Sequence, residues 1–327
     1  MTLQTSKISI ALCTYNGARF LSEQLHSIAT QHRLPDELIV CDDGSMDETV
    51  SLVEAFASQV RFPVRLQVNP VRLGATKNFE QAIELCRGDV IVLCDQDDVW
   101  FSHKLQKIAE AFAHRPQPGA VFSDAILVDE KLLSLKRTLW QTSGFSAKAQ
   151  AQFESGNQLE VLVRYTPILG LTLAFHSSYR NAILPFPTDQ GHDIWGALII
   201  ASLAKIALIK EPLVQYRQHP HQLVGINLQR GLNQRLTYTR NIKGAAFLHV
   251  AQLYEEAYQR VEKLINEKAD SRELALLRQK ADHFYKRGLL HSNRWRRLPV
   301  IFRELSHLRY HHFSNGVLSA AKDLFLS

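Results

Sequence analysis

Cysteine is scarce in this chain of 327 residues: there are 4, and all of them lie in the first third. They are not spaced like metal ligands, and three lie in or at the ends of apolar, strand-like runs. Cysteines of this kind are expected to be reduced and buried as small hydrophobic side chains. The sequence therefore predicts a protein of a reducing compartment, the cytoplasm, rather than a secreted one.

Long hydrophobic runs are also missing. The longest apolar region, residues 195–209, contains Lys205 and is shorter than the roughly 20 residues that a membrane-spanning helix needs. The run at residues 8–13 is too short for a signal peptide and has no small-residue cleavage site behind it. We therefore expect neither a membrane span nor a secretory leader.

Positive charge is concentrated near one end of an otherwise ordinary globular composition. From residue 270 onward there are 11 Lys and Arg against 5 Asp and Glu, and this excess equals the whole-chain charge of +6. Basic residues there alternate with Leu, Ile, Phe and Trp, which is typical of an amphipathic helix on anionic headgroups. A solvated basic face on a helical cap explains the pattern equally well. Nucleic-acid binding is not expected, since no reader motif accompanies the charge.

Strand-like and helix-like segments alternate along the first 125 residues. Strands are predicted at residues 8–13, 38–41, 64–68 and 90–94, and amphipathic helices follow the first three of them. This alternation predicts an α/β fold with a mostly parallel sheet and a ligand site at the carboxyl ends of its strands. Polar clusters follow the first, second and fourth strands, so we expect them to converge on one crevice.

The most informative cluster is the segment CDQDDVW at residues 94–100, which places three carboxylates just after a buried strand. Like charges repel and lose hydration there unless a cation or several donors compensate them. Mg²⁺ or Mn²⁺ is the simplest compensation, because these hard cations are held by one or two carboxylates together with substrate phosphates. In the alternative interpretation, Asp97 or Asp98 merely caps a helix that begins near residue 102.

The ligand is indicated by two loops that the chain lacks. It has neither the G-x-G-x-x-G turn of dinucleotide sites nor the G-x-x-x-x-G-K-[ST] loop of nucleoside triphosphate sites. Acidic turns in their place favour a ligand held by its base and ribose on one side and by a metal on its phosphates on the other. A nucleoside diphosphate-sugar has these groups.

Four blocks in order along the chain resemble the family 2 glycosyltransferases. They are SIALCTYN at residues 9–16, VCDDGSMD at residues 40–47, residues 69–74 with Asn78, and CDQDDVW at residues 94–100. The resemblance covers residues 6–225. Within the family, the DQDDVW form and YRQH at residues 216–219 look most like rhamnosyltransferase-type enzymes of bacterial surface-polysaccharide assembly.

The resemblance implies a GT-A fold, in which a Rossmann-like, mostly parallel sheet is flanked by helices, with a C-terminal helical extension here. It implies an inverting, metal-dependent transfer, with Mg²⁺ or Mn²⁺, from a nucleoside diphosphate-sugar to a glycan or lipid-linked acceptor. dTDP-rhamnose is the favoured donor and a UDP-sugar the next. The predicted domains are a GT-A domain at residues 1–228, with a nucleotide-sugar half at 1–125 and an acceptor half at 126–228, and a helical region at 229–327.

Donor-site residues are implied where this chain matches the family's motifs. Asp97 is expected nearest the metal, with Asp95 as the other carboxylate of the D-x-D pair, while Asp98 orders the turn. Lys77 is equally well explained as a solvated helix residue. The full set implied to bind the nucleotide-sugar is Thr14, Tyr15, Asn16, Asp42, Asp43, Lys77, Asn78, Asp95 and Gln96.

An inverting transfer also needs a base that takes the acceptor's proton. Asp193 matches the family's carboxylate in an Asp-Trp segment and is predicted in the first turn of a helix, where a favourable dipole charge is the alternative explanation. His192 and Trp195 are predicted on the acceptor side. Arg217 or His219 is expected to neutralise the leaving diphosphate. The Gln-x-x-Arg-Trp motif of processive members is absent, which favours a single transfer.

Residues 229–327 match nothing recognisable, and the sequence leaves three roles open for them: capping the acceptor site, forming an oligomer, or docking on the inner face of the membrane. Two other functions are considered. A sugar-nucleotide nucleotidyltransferase would have a glycine-rich basic loop after the first strand, where this chain has TYNG. A non-catalytic sugar-nucleotide-binding protein would be expected to have lost Asp95, Asp97 or Asp193, and all three are present.

Overall fold

The computed structural model describes residues 6–114, 116–187, 191–220, 222, 244–265 and 271–325. Its contacts divide the chain into two compact units, the first of Met1–Gly156 with Thr166–Gly225 and the second of Asn157–Tyr165 with Ile226–Ser327. The hydrophobic periodicity of the sequence does not indicate that Asn157–Tyr165 belongs to the second unit. The domain boundary at residue 228 and the division at residue 125 stay predictions.

The first unit is built on one sheet, with nine strands among the described residues. In chain order they are β1 Ile8–Thr14, β2 Glu37–Asp42, β3 Val64–Val68, β4 Val90–Cys94, β5 Val99–Trp100, β6 Ala120–Val128, β7 Ser134–Thr138, β8 Leu173–His176 and β9 Ile206–Arg217. Their order across the sheet is β3-β2-β1-β4-β8-β6-β9-β5, and β7 pairs with β6. All but β5, β7 and β8 run in one direction, which confirms the mostly parallel α/β sheet.

Helices flank the sheet in the first unit and make up the second. In chain order they are α1 Ala18–Ala29, α2 Thr49–Ala57, α3 Ala75–Leu85, α4 Lys104–Ala113, α5 Leu139–Ser143, α6 Ala147–Glu154, α7 Gln158–Leu162, α8 Arg180–Ile183, α9 His192–Leu203, α10 Gly244–Ile265, α11 Arg272–Gly288, α12 Arg294–Ser306, α13 Arg309–Phe313 and α14 Val317–Phe325. Of these, α7 and α10 to α14 belong to the second unit. The helical C-terminal region is thereby confirmed. No helix within the described ranges is both long and apolar enough to span a bilayer.

Local sequence explains the core of the first unit. Every residue of β1, β2 and β4 is buried, as expected for strands covered by helices on both faces. The predicted apolar stripe of α1 is buried on the sheet. Helix α2 begins at Thr49, whose N–H donates to the Asp47 carboxylate at 3.0 Å. The four cysteines are free and buried.

Candidate active site

Three polar turns lie side by side at the carboxyl edge of the sheet. Parallel pairing sets Thr14 at the end of β1 beside Asp42 at the end of β2, and Leu12 of β1 beside Cys94 at the end of β4. The residues that follow these strands therefore leave the sheet at the same edge. This edge is where ligands bind in sheets of this kind.

Direct hydrogen bonds join the turns. Gln96 clamps the backbone of Tyr15, accepting its N–H at 2.8 Å and donating to its carbonyl at 3.1 Å. Asn16 adopts a positive φ of 46° and accepts the Met46 N–H at 2.9 Å. Gly17 allows this approach, since a Cβ there would lie 2.2 Å from Gln96 Oε1. The turn after β1 is therefore fixed by the turns after β2 and β4.

Asp42 and Asp43 are both buried, and each organises a different stretch of chain. Asp42 accepts the Thr14 hydroxyl at 2.7 Å and the Ser45 N–H at 2.7 Å, so it holds its own turn. Asp43 accepts the N–H groups of Leu73 and Gly74 at 2.7 and 2.9 Å, which fixes the loop before α3. Their carboxylates hold the backbone that surrounds the crevice.

The loop before α3 also covers Tyr15. The Arg72 guanidinium lies 3.8 Å from the centre of the Tyr15 ring. The Asn78 side chain donates to the Cys41 carbonyl at 2.7 Å and accepts from Asn69 at 2.9 Å, so this predicted donor-site residue is occupied in holding the loop. A cation on an aromatic ring makes a flat surface of mixed polarity beside the turn.

Asp95 differs from its neighbours because its carboxylate accepts no hydrogen bond from the described residues. Burial, followed by the negative charges of Asp97 and Asp193, raises the pKa of Asp95 to about 7, while Lys104 opposes the rise. Asp193 on α9 accepts the N–H of Gly170, which lies just before β8, and β8 pairs with β4, so the predicted base lies near Asp95. A partly buried, unpartnered carboxylate among other carboxylates is suited to a cationic ligand.

Sequence reasoning missed Lys104, which is completely buried beneath these carboxylates. Its ammonium donates to the Leu171 carbonyl at 2.6 Å and lies 3.9 Å from the Trp100 ring centre. Burial lowers the pKa of Lys104 to about 7, and Cys94, Asp98 and Asp95 oppose that change. The available signal was a lysine at the first position of a helix, where the dipole disfavours positive charge.

Asp98 does not cap α4, which begins at Lys104 without a side-chain cap. One of its oxygens accepts the Arg217 N–H at 2.9 Å, and the other is buried without a partner among the described residues. Burial, with the charges of Asp97 and Asp95, raises the pKa of Asp98 well above its usual range. Asp98 thus joins the acidic turn to the end of β9.

Arg217 and His219 have different surroundings. Arg217 is only 1% exposed, and its guanidinium donates to the carbonyls of Asp97 and Glu130 and pairs with Glu23. These donors are directed at internal acceptors, and the neutralisation of the diphosphate by Arg217 or His219 stays a prediction. His219 lies beside Asp97, the carboxylate predicted nearest the metal, with Nε2 at 2.8 Å from Asp97 Oδ2.

The predicted base lies in the first turn of α9. Asp193 accepts the N–H groups of Gly170 at 3.2 Å and Ile194 at 2.7 Å, one with each oxygen. Each carboxylate oxygen has a second lone pair, so both can still accept a proton or a hydroxyl group. His192 stacks on Phe79 at 4.0 Å, and its buried Nε2 has no partner within the described ranges.

Two further side chains that were predicted to contact a substrate bind other protein groups. Trp195 is 1% exposed and donates its indole N–H to the Ile183 carbonyl at 2.8 Å, and its place on the acceptor side stays a prediction. Lys77 binds Glu80 at 2.9 Å and the Phe186 carbonyl at 3.1 Å, which joins α3 to the chain before α9. Neither side chain is directed at the acidic turn by these contacts.

The donor set at the acidic turn suits a hard divalent cation. Among the residues with described positions, no three His, Cys, Asp or Glu side chains could enclose a metal by themselves. Asp95 has an unpartnered carboxylate, and Asp97 is next but one along the same turn. Mg²⁺ and Mn²⁺ are commonly held by one or two carboxylates, with phosphate and water oxygens completing the shell. The residues therefore fit such an ion when a diphosphate is present.

Comparison with protein families gives a match to Glycosyl transferase family 2 over residues 9–154. An uncharacterized glycosyltransferase of Nostoc, alr2836, is 30% identical over 223 residues, 65% of each chain. This chain therefore spans just under two thirds of that relative's length. The dTDP-rhamnosyl transferase RfbG of Shigella flexneri is 25% identical over 244 residues, covering 70% of this chain and 79% of RfbG.

A similar structure is the mannosyltransferase PcManGT of Pyrobaculum calidifontis, solved with GDP-Man and Mn²⁺. The superposition has a TM-score of 0.53 and 21% sequence identity, and it covers 97% of this chain and 77% of the other. At this level of identity the likeness concerns the fold.

Proposed function

Because this chain belongs to family 2 of the glycosyl transferases and has the GT-A fold, we propose that it transfers a sugar, with inversion, from a nucleoside diphosphate-sugar to a glycan or lipid-linked acceptor. The observation that carries this proposal is the position of Asp95 and Asp97 in the turn after β4, with Asp193 bonded to the Gly170 N–H just before β8, the strand that pairs with β4. dTDP-rhamnose is the first donor to test, since one relative is a dTDP-rhamnosyl transferase, and UDP-sugars are next. Surface-polysaccharide synthesis is the proposed setting.

On the donor side, the nucleoside would lie over the turns after β1 and β2. Asn16 is exposed and Tyr15 partly exposed, so they are the first candidates for direct contact, with Asp43 beneath them. Thr14, Asp42, Gln96 and Asn78 support these turns through the hydrogen bonds described above. A Mg²⁺ or Mn²⁺ ion held by Asp97 and Asp95 would supply positive charge to the diphosphate when bound. His219 would position Asp97.

On the acceptor side, Asp193 is the proposed base. The acceptor oxygen forms a bond to the anomeric carbon while the bond from that carbon to the diphosphate oxygen breaks. The acceptor's hydroxyl proton passes to Asp193, and the nucleoside diphosphate leaves with the electron pair. The backbone bonds from Gly170 and Ile194 hold the Asp193 carboxylate in place for this step.

The test measures binding and hydrolysis of dTDP-, UDP- and GDP-sugars with and without Mn²⁺ or Mg²⁺. We expect one donor to bind in a metal-dependent way and Asp97→Ala to abolish that binding. Asp193→Asn should still bind the donor but lower its turnover by about 10²- to 10⁴-fold, the usual effect of losing a general base. Glu110→Gln, on the exposed side of α4, is the control and should behave like wild type.

Other outcomes would reject parts of this proposal. Binding without turnover in the wild type, even with glycan acceptors present, would indicate a non-catalytic binding protein. Formation of a nucleotide-sugar from a nucleoside triphosphate and a sugar phosphate would indicate a nucleotidyltransferase. If Asp97→Ala and Asp193→Asn both match wild type, the acidic cluster is structural.

A further inference from the structure

Residues 289–325, at the end of the described chain, expose large apolar side chains. On α12, Trp295 is 66% and Phe302 is 74% exposed, with Leu298 between them, a spacing of three and then four residues. This spacing aligns the three side chains along one side of the helix. On α14, Val317, Leu318 and Phe325 are also exposed. Such a concentration of exposed apolar side chains usually marks a contact surface.

Basic side chains accompany the apolar stripe of α12. Arg296 and Arg303 are exposed, and each directly follows an aromatic residue of the stripe, Trp295 or Phe302. The two arginines are therefore two helical turns apart, along the flank of the stripe. Arg294 on α12 and Lys322 on α14 are exposed as well.

The acidic residues of the same segment lie inside. Glu304 is 2% and Asp323 is 1% exposed, and they are the two acidic residues between positions 289 and 325. Glu304 accepts from His283 at 2.8 Å, and Asp323 forms a bidentate pair with Arg287 at 2.7 and 2.9 Å. Residues 289–325 thus expose the positive charges of Arg294, Arg296 and Arg303 and no carboxylate of their own.

We propose that the outward side of α12, with the exposed side chains of α14, docks on an anionic lipid bilayer. Trp and Phe side chains are favoured at the boundary between headgroups and acyl chains, and arginines beside them bind anionic headgroups. A second copy of the chain is a poorer occupant, because a symmetric contact would bring two positive surfaces together. A nucleic acid would be attracted by the charge but offers no partner for the apolar stripe.

The experiment sediments the full chain with vesicles of equimolar phosphatidylglycerol and phosphatidylcholine, and with vesicles of phosphatidylcholine alone. We expect binding to the anionic vesicles only, and release at about 1 M salt, where the screening length is roughly 3 Å. Arg296→Ser with Arg303→Ser should weaken binding roughly 25-fold, since each basic residue near an anionic surface contributes about fivefold. Trp295→Ser with Phe302→Ser should weaken binding while leaving its salt dependence unchanged.

Matched controls remove similar exposed groups from the first unit. Arg61→Ser with Arg137→Ser tests the loss of two exposed arginines, and Leu34→Ser with Leu133→Ser tests the loss of two exposed leucines. Both controls should bind vesicles like wild type. Because the readout is vesicle binding, the outcome does not depend on whether the chain transfers a sugar.

Several results would overturn the proposal. Equal binding to neutral vesicles, absence of binding to either kind, or a loss of binding in the controls that matches the α12 variants would each do so. A protein that is dimeric in solution and becomes monomeric when Trp295 and Phe302 are replaced would show that a second copy covers this surface instead. Circular dichroism of each variant, unchanged from wild type, confirms that it is folded.

Discussion

Glu37 and Asp95 are carboxylates at opposite edges of the same sheet, with different surroundings. Glu37, at the start of β2, accepts from the Ser9 hydroxyl at 2.6 Å and from Arg65 at 2.8 Å. Burial alone would raise the pKa of Glu37, but hydrogen bonds from Ser9, Arg87 and Arg65 lower it below its ordinary value. Burial and repulsion raise the pKa of Asp95 to about 7. Glu37 therefore stabilises the fold, whereas the Asp95 charge destabilises it.

This contrast predicts opposite effects for two similar substitutions. Glu37→Gln should lower the free energy of unfolding by about 1–3 kcal/mol, because it weakens a buried, charge-assisted hydrogen-bond network. Asp95→Asn should raise it by about 0.5–1 kcal/mol, since repulsion from Asp97 and Asp193 is removed, and should weaken metal-dependent donor binding. Urea titration and donor-binding measurements on both variants test this. A destabilised Asp95→Asn protein would show that Asp95 helps to hold the fold.

Helix α4 begins with a residue that its own dipole disfavours. Lys104 occupies the first helical position, yet it is buried with its ammonium on the Leu171 carbonyl and close to Asp95 and Asp98. Positive charge at a helix N-terminus is unfavourable, so the acidic turn has to compensate for it. The element thus joins the acidic turn to the chain that leads into β8.

Lys104→Met removes this charge while keeping an apolar stem over the Trp100 ring. We expect it to lower the free energy of unfolding by about 3 kcal/mol, because a buried charge loses its partner, and to weaken donor binding. Lys107→Met is the matched control on the same helix, where a partly exposed lysine pairs with Glu211 at 3.3 Å, and it should cost about 1 kcal/mol or less. Equal effects of the two substitutions on stability and donor binding would reject a special role for Lys104.

The elements of the first 113 residues were largely predictable from sequence. Apolar runs of four to six residues gave β1, β2 and β4, and the β3 range was predicted as observed, because these strands are bounded by clear turn and helix signals. The acidic turn after β4 could be identified because its composition is unfavourable without a partner. Local signals sufficed wherever a strand and its following helix are adjacent in the chain.

The rest of the sheet depends on distant pairings that no local pattern reveals. Strand β8 inserts antiparallel between β4 and β6, and β9 pairs with β6 across a long stretch of chain. The internal acceptors of Arg217 come from three separate parts of the sequence, so the burial of Arg217 could not be predicted from the sequence around it. Motif matching placed Trp195 on the acceptor side, although an apolar helix buries it.

The two compact units suggest that the molecule unfolds in two transitions. The second unit contains a buried ionic cluster in which His283, with 0% exposure, contacts Glu304, and Glu304 also binds Lys286 and Arg309. Burial lowers the pKa of His283, aided by Arg287 and Lys280 and opposed by Glu304. The pKa of Glu304 is also lowered. Burial alone would raise it, but the hydrogen bonds from His283 and Lys286 outweigh burial.

Both shifts make the second unit less stable in acid. Below about pH 6.5, the ordinary pKa of histidine, His283 is protonated in the unfolded chain but stays neutral in the folded protein. Stability therefore falls until the pH reaches the lower pKa of folded His283. Below about pH 4.3, the ordinary pKa of glutamate, the unfolded chain protonates Glu304 first, and stability falls again. These two shifts should therefore lower stability in two stages as the pH falls below about 6.5.

Urea titrations followed by far-ultraviolet circular dichroism at a series of pH values between about 8 and 3 test this expectation. The transition of the second unit should shift to lower urea below about pH 6.5, and His283→Gln should remove that first shift while leaving the one near pH 4.3. His312→Gln, at an exposed position on α13, is the control and should keep both shifts. If the first shift persists in His283→Gln, another group titrates there, and the neutral, buried His283 is not what limits the stability of this unit in mild acid.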